Sequence, residues 1–226
     1  MGYAKKSLGQ NFLIDKNIIK KIINLSKIKN RNIIEIGPGE GALTDEILKN
    51  KPRLLIVVEK DFELSKKLRS KYSNNKLIKV INNDILNLDI EKLVPKNAII
   101  FGNLPFNISS QILVKFIKFI EWPPEYAEII FMFQKELGEK IIGKFSTPGY
   151  GRLSILSNFR LKVVNKFFVS PNCFHPRPKV TSIVIHFKPK NKSKFNIQKI
   201  SNLEKVTNIF FSNKRKMINK NLKKVL

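Results

Sequence analysis

The chain is poor in cysteine and histidine, which excludes several kinds of chemistry. Cys173 is the only cysteine, so no disulfide can form within the chain and no site with several cysteine ligands can hold a metal. A single thiol fits a reducing compartment, and we predict a cytoplasmic protein. His175 and His186 are the only histidines. Because His186 lies in an apolar run, we predict that it is a strand residue, and we expect neither a catalytic histidine nor a metal site.

Long apolar runs are also missing. No stretch approaches the ~20 apolar residues that a membrane-spanning helix needs. The N-terminus lacks the apolar core of a secretory signal peptide. No basic helix with a broad apolar face stands out either, so we predict that the protein has no membrane partner.

Acidic residues are almost absent from the last part of the chain. The formal net charge is +26, from 43 basic and 17 acidic residues. Residues 1–139 contain 23 basic and 16 acidic residues, whereas residues 140–226 contain 20 basic residues and only Glu204 as an acid. A coding bias toward lysine explains a high lysine content but not the loss of acids from one part alone. Uneven charge of this kind is typical of a polyanion-binding surface.

Continuously apolar runs alternate with helical segments through the first 133 residues. Strands without polar alternation, separated by helices, predict a parallel sheet that is covered on both faces, as in doubly wound α/β folds. The predicted strands are 32–36, 54–58, 77–81, 98–101 and 129–133, and the predicted helices are 16–25, 42–48, 62–72 and 108–120.

The remaining third of the chain has a different pattern. The runs 161–169 and 181–188 are separated by a short loop and predict an antiparallel pair at one edge of the sheet. From residue 198 onward the pattern is helical and basic. A Lys/Asn/Ser-rich stretch at 189–193 predicts a boundary, which divides the chain into a domain at 1–190 and a small helical C-terminal segment at 191–226.

A glycine turn, residues 37–41, lies between the first of these strands and the helix that follows. Gly37, Gly39 and Gly41 are spaced G-x-G-x-G, whereas a dinucleotide-binding turn would need glycine at position 42, where Ala42 stands. Glycines at such a turn let the backbone approach a ligand closely. The preceding acid, Glu35, suits a zwitterionic cofactor with an amino group better than a pyrophosphate. We therefore predict a site for S-adenosylmethionine.

Two further acids follow the next two strands. Glu59 comes at the end of the second strand, where a carboxylate can accept both ribose hydroxyls, and Asp84 follows the third, within reach of the exocyclic amine of the cofactor's adenine. Open α/β sheets bind their ligands at the carboxyl ends of the strands. Any one of these acids could be a solvated strand-end residue, but the three acids together with the glycine turn predict a cofactor pocket.

The run Asn103-Leu104-Pro105-Phe106 follows the fourth strand and predicts the catalytic turn. The lone pair of an adenine N6 is delocalised into the ring, so the nitrogen is a poor nucleophile. The Asn103 side-chain oxygen and the Leu104 carbonyl can accept its two hydrogens and localise that lone pair, while Pro105 restricts the turn. Phe106 can stack on the base.

At this point the chain resembles the KsgA-type ribosomal RNA adenine N6,N6-dimethyltransferases. The resemblance covers nearly the whole chain. It is carried by the glycine turn and by runs in the same order, at 7–14 (SLGQNFLI), 83–85 (NDI), 103–109 (NLPFNIS), 134–136 (QKE), 150–154 (YGRLS), 174–182 (FHPRPKVTS) and 212–222 (SNKRKMINKNL).

This resemblance implies a Rossmann-like methyltransferase fold and a role for individual residues. The N-terminal segment, 1–30, closes over the cofactor, and Phe174 forms the second wall of the base slot, opposite Phe106. The residues implied to bind the cofactor are Gln10, Asn11, Leu13, Gly37, Gly39, Glu59, Lys60, Asp84, Ile85 and Asn103. Those implied to bind RNA are Lys214, Arg215, Lys216 and Lys220.

The resemblance also implies the reaction. It is dimethylation of N6 at two adjacent adenines in the 3′-terminal hairpin loop of small-subunit (16S) ribosomal RNA, on an immature subunit, by a monomer. Two features depart from the family: Phe106 stands where Tyr is usual, and the chain ends at Leu226, whereas members usually continue further into a helical C-terminal domain.

Three alternatives stay open. An enzyme of the antibiotic-resistance type would act on large-subunit RNA, although Leu104 and the run at 174–182 favour the small-subunit type. A DNA adenine methyltransferase would need a target-recognition domain, which we do not find. A non-catalytic RNA-binding assembly factor would not need intact Glu59, Asp84 and Asn103.

Overall fold

The fold is a seven-stranded sheet with helices on both faces. A computed structural model describes residues 9–191 and 199–211 of the chain. Its strands are β1 (Phe12–Leu13), β2 (Asn32–Ile36), β3 (Leu54–Glu59), β4 (Ile78–Asn82), β5 (Ala98–Asn103), β6 (Tyr126–Gln134), β7 (Leu161–Val169), β8 (Phe174–His175) and β9 (Ser182–Pro189). Its helices are α1 (Lys16–Ile23), α2 (Ala42–Lys49), α3 (Phe62–Lys71), α4 (Ile90–Leu93), α5 (Ser109–Ile117), α6 (Lys135–Ile141), α7 (Arg152–Arg160) and α8 (Ile200–Phe211).

The strand order confirms the predicted doubly wound sheet. The order is β4-β3-β2-β5-β6-β9-β7, in which the first five strands are parallel. β9 pairs antiparallel with both β6 and β7, so the predicted antiparallel pair does close one edge. The order reverses between β2 and β5, and this is where open α/β sheets bind ligands.

Alternating residues of the strands fill two apolar layers. Along β2, Ile34 and Ile36 pack on the side of α5 and α7, whereas Ile33 packs on the side of α1 and α2. Successive side chains of a strand point to opposite faces, so a strand that is covered on both sides must be apolar throughout. This is why the parallel strands show no polar alternation.

A small second sheet ties the N-terminal segment to the body of the domain. β1 pairs antiparallel with β8, with Phe12 opposite His175 and Leu13 opposite Phe174. The backbone N–H of Ile14 donates to the carbonyl of Cys173 at 2.8 Å. The strands are only two residues long, which is why the sequence pattern predicted neither of them. Helices α4, α6 and α7 were not predicted either.

Several boundaries differ from the predicted ones by a few residues. β3 includes Glu59 as its last residue, α1 ends at Ile23, and α5 ends at Ile117, three residues before the predicted end. His186 lies in β9 as predicted, is 3% exposed, and its Nε2 lies 2.7 Å from a carboxylate oxygen of Glu128. Among the described residues, no helix is both long and apolar enough to cross a membrane.

The described part of the predicted C-terminal segment is α8. Ile200 is buried in the apolar layer on the α5 side. Glu204 accepts from Arg152 at 2.8 Å and from Lys118 at 2.7 Å. The division at residue 190 stays a prediction. The four predicted RNA-binding residues of this segment, Lys214, Arg215, Lys216 and Lys220, lie outside the described residues.

Candidate active site

A cavity of about 730 Å³ opens at the carboxyl ends of β2, β3 and β5. Its volume falls within the range of small-molecule sites. Every residue that we predicted to bind the cofactor or to form the catalytic turn lines it, namely Gln10, Asn11, Leu13, Gly37, Gly39, Glu59, Lys60, Asp84, Ile85, Asn103, Leu104, Pro105 and Phe106.

The glycine turn needs glycine for conformation and for space. Gly37, Gly39 and Gly41 have φ angles of 65°, 59° and 87°, a region that favours glycine. A Cβ on Gly39 would lie 2.9 Å from the ring of Phe12, and one on Gly41 would lie 2.7 Å from the hydroxyl of Tyr72. The turn therefore presents bare backbone to the cavity while other side chains pack closely around it.

Glu59 joins the end of β3 to the glycine turn. One carboxylate oxygen accepts from the backbone N–H of Gly39 at 3.1 Å, and the other accepts from that of Asp61 at 2.8 Å. The side chain is 6% exposed. Burial raises the pKa of Glu59, and these two N–H groups act in the opposite direction. The carboxylate is thus held rigidly at the cavity wall, with lone pairs left for a ligand.

Glu35 is a buried carboxyl group behind the turn. It is 1% exposed, and the hydroxyl of Thr44 donates to one of its oxygens at 2.7 Å. Burial is the largest cause that raises the pKa of Glu35 to about 8, since the charged form loses hydration; the hydrogen bond from Thr44 opposes the shift. Glu35 is therefore protonated at neutral pH in the protein alone.

This protonation predicts a pH-dependent stability difference for the Glu35→Gln variant. Between the ordinary pKa of 4.5 and about 8, the folded protein holds a proton that the unfolded chain has released. The unfolding free energy of the wild type therefore falls through this window as the pH rises, by at most about 1.4 kcal/mol per pH unit. Gln cannot titrate, and its side-chain oxygen still accepts from Thr44.

Urea unfolding of both proteins between pH 5 and 8.5 checks this prediction. The unfolding free energy of the variant minus that of the wild type should rise with pH up to about 8 and then level off. A difference that stays constant across the range would mean that Glu35 ionises normally in the folded protein.

Asp84 also lines the cavity, two residues after the end of β4. Lys60 forms an ion pair with it at 2.8 Å, and the backbone N–H of Leu86 donates to its second oxygen at 2.9 Å. The hydrogen bond from Lys60 is the largest cause that lowers the pKa of Asp84, and burial opposes it. Asp84 therefore stays ionised at neutral pH.

The N-terminal segment covers part of the cavity, as the resemblance implied. The Gln10 amide donates to Asp61 at 3.2 Å, and Phe12 lies against Gly39. Asp61 also caps α3 by accepting from the N–H of Glu63 at 3.0 Å. The sequence analysis missed Asp61, although an acid that directly precedes a helix is a recognisable N-cap.

Asn103 is oriented by the same segment. Its side-chain nitrogen donates to the carbonyl of Asn11 at 3.0 Å. A carbonyl can only accept, so this contact requires the NH₂ group of Asn103 on that side and directs the amide oxygen away from it. The hydrogen bonds within the following turn use the carbonyls of Pro105 and Phe106 rather than that of Leu104.

Of the two aromatic residues predicted to form the base slot, Phe106 lines the cavity and Phe174 does not. Phe106 is partly exposed. Phe174 is 3% exposed, pairs with Leu13 through β8, and packs in the apolar layer on the α1 side rather than in the cavity wall. The stacking role of Phe174 stays a prediction.

The charge of the cavity is opposite to that of the chain. Six of the 17 acidic residues line the cavity, namely Glu35, Glu40, Asp45, Glu46, Glu59 and Asp84. Four lysines also line it, namely Lys16, Lys20, Lys49 and Lys60, and Glu35 is protonated. The five ionised carboxylates therefore leave the cavity with a small negative charge, which favours a positively charged ligand in a protein with a net charge of +26.

Comparison with known proteins agrees with this geometry. The family model of the ribosomal RNA adenine dimethylases matches residues 1–226. The chain belongs to the ribosomal RNA adenine dimethylase family. Ribosomal RNA small subunit methyltransferase A of Pelagibacter ubique is 46% identical over 217 residues, which cover 96% of this chain and 82% of the relative. The protein of that name from Rhizobium etli (strain CIAT 652) is 38% identical over 226 residues, covering 97% and 80%.

Solved structures give the same result for the family and the fold. A dimethyladenosine transferase from Plasmodium falciparum is 26% identical, with a TM-score of 0.75, and the match covers 94% of this chain and 74% of that one. The 23S rRNA methyltransferase ErmE is 25% identical, with a TM-score of 0.73, covering 95% and 84%. The predicted family and the Rossmann-like methyltransferase fold are thereby confirmed, and the chain is a methyltransferase of the class that uses S-adenosylmethionine.

Proposed function

We propose that this dimethylase transfers methyl groups from S-adenosylmethionine to N6 of two adjacent adenines in the 3′-terminal hairpin loop of small-subunit ribosomal RNA. It acts as a cytoplasmic monomer on immature small subunits. The observation that carries the proposal is one cavity that combines an acid-lined glycine turn with an oriented Asn103 amide. The names of its relatives support the small subunit as the target rather than the large one.

The residues of the cavity fit the cofactor. Glu59 offers carboxylate lone pairs to ribose hydroxyls, and Asp84 offers them to the exocyclic amine of the adenine. The buried Glu35 lies behind the glycine turn, on the side that suits the amino group of the methionine part. The cofactor supplies an electrophilic methyl group on a positively charged sulfur, a charge that the ionised carboxylates of the cavity favour.

The catalytic turn prepares the nitrogen that attacks. The amide oxygen of Asn103 and the carbonyl of Leu104 accept the two N6 hydrogens, so the lone pair becomes available on the face toward the methyl group. Phe106 stacks on the base and holds it in line, and most of the acceleration then comes from orientation. A loop adenine can be splayed out of its stack into such a site at low cost.

The balance of charge explains how RNA reaches an acidic cavity. Six of the 17 acidic residues line the cavity, while residues 140–226 carry 20 basic residues and one acid. We propose that this basic part, including Lys214, Arg215, Lys216 and Lys220, contacts the phosphates. Such contacts make the affinity fall steeply as the salt concentration rises.

The decisive experiment maps methylated adenines in small and large subunits from a strain that lacks the protein, with and without addition of the purified chain and S-adenosylmethionine. We expect two adjacent N6,N6-dimethyladenosines in the 3′-terminal hairpin loop to appear only with the addition. Methylation of large-subunit RNA alone would favour the antibiotic-resistance type. No methylation, together with no heat of cofactor binding by calorimetry, would favour a non-catalytic assembly factor.

A further inference from the structure

An aromatic ring is exposed on β7, an edge strand of the seven-stranded sheet. Phe168 on β7 is 55% exposed, and the ammonium group of Lys135 lies 5.4 Å from the centre of its ring. Val180 is 43% exposed in the neighbouring loop, whose Thr181 carbonyl accepts from the backbone N–H of Lys135 at 2.9 Å. We call Phe168, Lys135, Lys166 and Val180 the β7 surface.

The charge around the β7 surface favours a polyanion. No acidic residue occurs between Glu139 and Glu204. Two acids reach the surroundings from other elements: Glu139 lies 3.9 Å from the ammonium of Lys135, and Glu128 lies 3.7 Å from that of Lys188. Between residues 161 and 189 the chain carries five basic residues, namely Lys162, Lys166, Arg177, Lys179 and Lys188.

The strand itself is unsuited to pairing with another protein strand. β7 is an edge strand of the seven-stranded sheet, and its pairing with β9 is interrupted by a register shift between Val163 and Asn165. Lys162 and Lys166 are both exposed on it. Irregular pairing and lysines are the devices by which edge strands avoid joining other sheets. An exposed aromatic among lysines instead fits single-stranded nucleic acid, in which bases stack and phosphates bind cations.

The strand register places this surface near the catalytic turn. Asn103 pairs with Met132 on β6, the next residue Phe133 pairs with Ile183 on β9, and Ile183 pairs with Phe168. Three strand spacings of about 4.8 Å separate the strands of Asn103 and Phe168, or about 15 Å. This is about four stacked nucleotides at ~3.4 Å each.

We propose that the β7 surface binds RNA next to the target adenines, with Phe168 stacking on a flanking unpaired base and Lys135 and Lys166 contacting phosphates. This inference rests on the proposed function and adds a second RNA contact to it. The contact positions the RNA strand and takes no part in the methyl transfer.

The first test measures methyl transfer to unmethylated small subunits by Phe168 variants. Phe168→Ala should raise the KM for the subunits about 5- to 150-fold, as expected for the loss of one stacked base, and leave the single-turnover rate at saturating subunits unchanged. Phe168→Trp should retain the wild-type KM, whereas Phe168→Leu should behave like Ala. Ile120→Ala is the matched control, because Ile120 is 85% exposed and lies beyond the end of α5 that is remote from the catalytic turn.

A second test separates the phosphate contact. Lys166→Gln should reduce the slope of the logarithm of subunit affinity against the logarithm of salt concentration by about one, whereas Lys96→Gln, an exposed lysine at the opposite end of the sheet, should leave it unchanged. An unchanged KM in Phe168→Ala, or a wild-type KM in Phe168→Leu, overturns the stacking contact.

A change in oligomeric state with unaltered RNA binding would instead show that the β7 surface joins two copies of the chain, which sedimentation of the wild type and Phe168→Ala detects. In each of these outcomes the wild-type protein still methylates small subunits. If the proposed function itself is wrong, the wild-type protein does not methylate them.

Discussion

Replacing Asn103 with Ala is expected to lower the rate of methyl transfer by at least about 100-fold, the scale on which a preorganised polar group stabilises a transition state. The variant lacks the amide oxygen that we propose accepts an N6 hydrogen, while the basic surfaces proposed to bind RNA are unchanged. Single-turnover rates and subunit affinities, measured on the same preparations, test this prediction. Turnover comparable to that of the wild type would contradict the mechanism.

The structure also predicts the effect of Asn103→Asp on methyl transfer. Asp keeps an acceptor but cannot donate to the carbonyl of Asn11, which lies 3.0 Å from the Asn103 nitrogen. Two acceptors at that distance repel each other, so the carboxylate turns away and activity should fall as in the Ala variant. Asn172→Ala, which changes an exposed asparagine that does not line the cavity, is the control and should be fully active.

Replacing Glu59 with Ala is expected to weaken cofactor binding by ~1.5–3 kcal/mol, the usual scale for hydrogen bonds to a charged group. This is about a 10- to 150-fold rise in Kd, measurable by calorimetry. The free energy of unfolding should fall as well, because the buried N–H groups of Gly39 and Asp61 lose their acceptor.

Two further variants separate the loss of cofactor affinity from the loss of stability. Glu59→Gln provides one acceptor oxygen but turns an NH₂ group toward the second N–H, so it should recover only part of the affinity and stability. Glu63→Ala removes an exposed acid from the first turn of α3 and should leave the cofactor Kd unchanged. A wild-type Kd in Glu59→Ala would show that the carboxylate does not bind the ribose.

The residues around the glycine turn show why much of the site could be predicted. Glu59 and Asn103 are the last residues of parallel strands, and the turn and Asp84 come just after such strands. The carboxyl ends of parallel strands meet at one edge of a sheet. An apolar run locates the strand, so the polar residue that follows it is located too. By contrast, contacts between segments distant in sequence could not be inferred, such as those of Gln10 with Asp61 and of Asn103 with Asn11.

Phe174 illustrates the opposite case. Its run at 174–182 implied a wall of the base slot, which stays a prediction, whereas the structure pairs β8 with β1 and buries the ring in the apolar layer on the α1 side. A two-residue strand has no periodicity to detect, and its partner lies more than 150 residues away along the chain. Only the folded arrangement decides which side of the segment faces the cavity.

The sequence by itself determined the family, the parallel strands, the glycine turn and the residue types of the cavity, because each depends on a local pattern of side chains. Tertiary structure alone decided the ionisation of Glu35, which depends on complete burial beside Thr44, and the direction of the Asn103 amide, which depends on the carbonyl of Asn11. It also placed the exposed Phe168 three strands from the catalytic turn. Burial and orientation arise from packing between distant segments, and no local pattern encodes them.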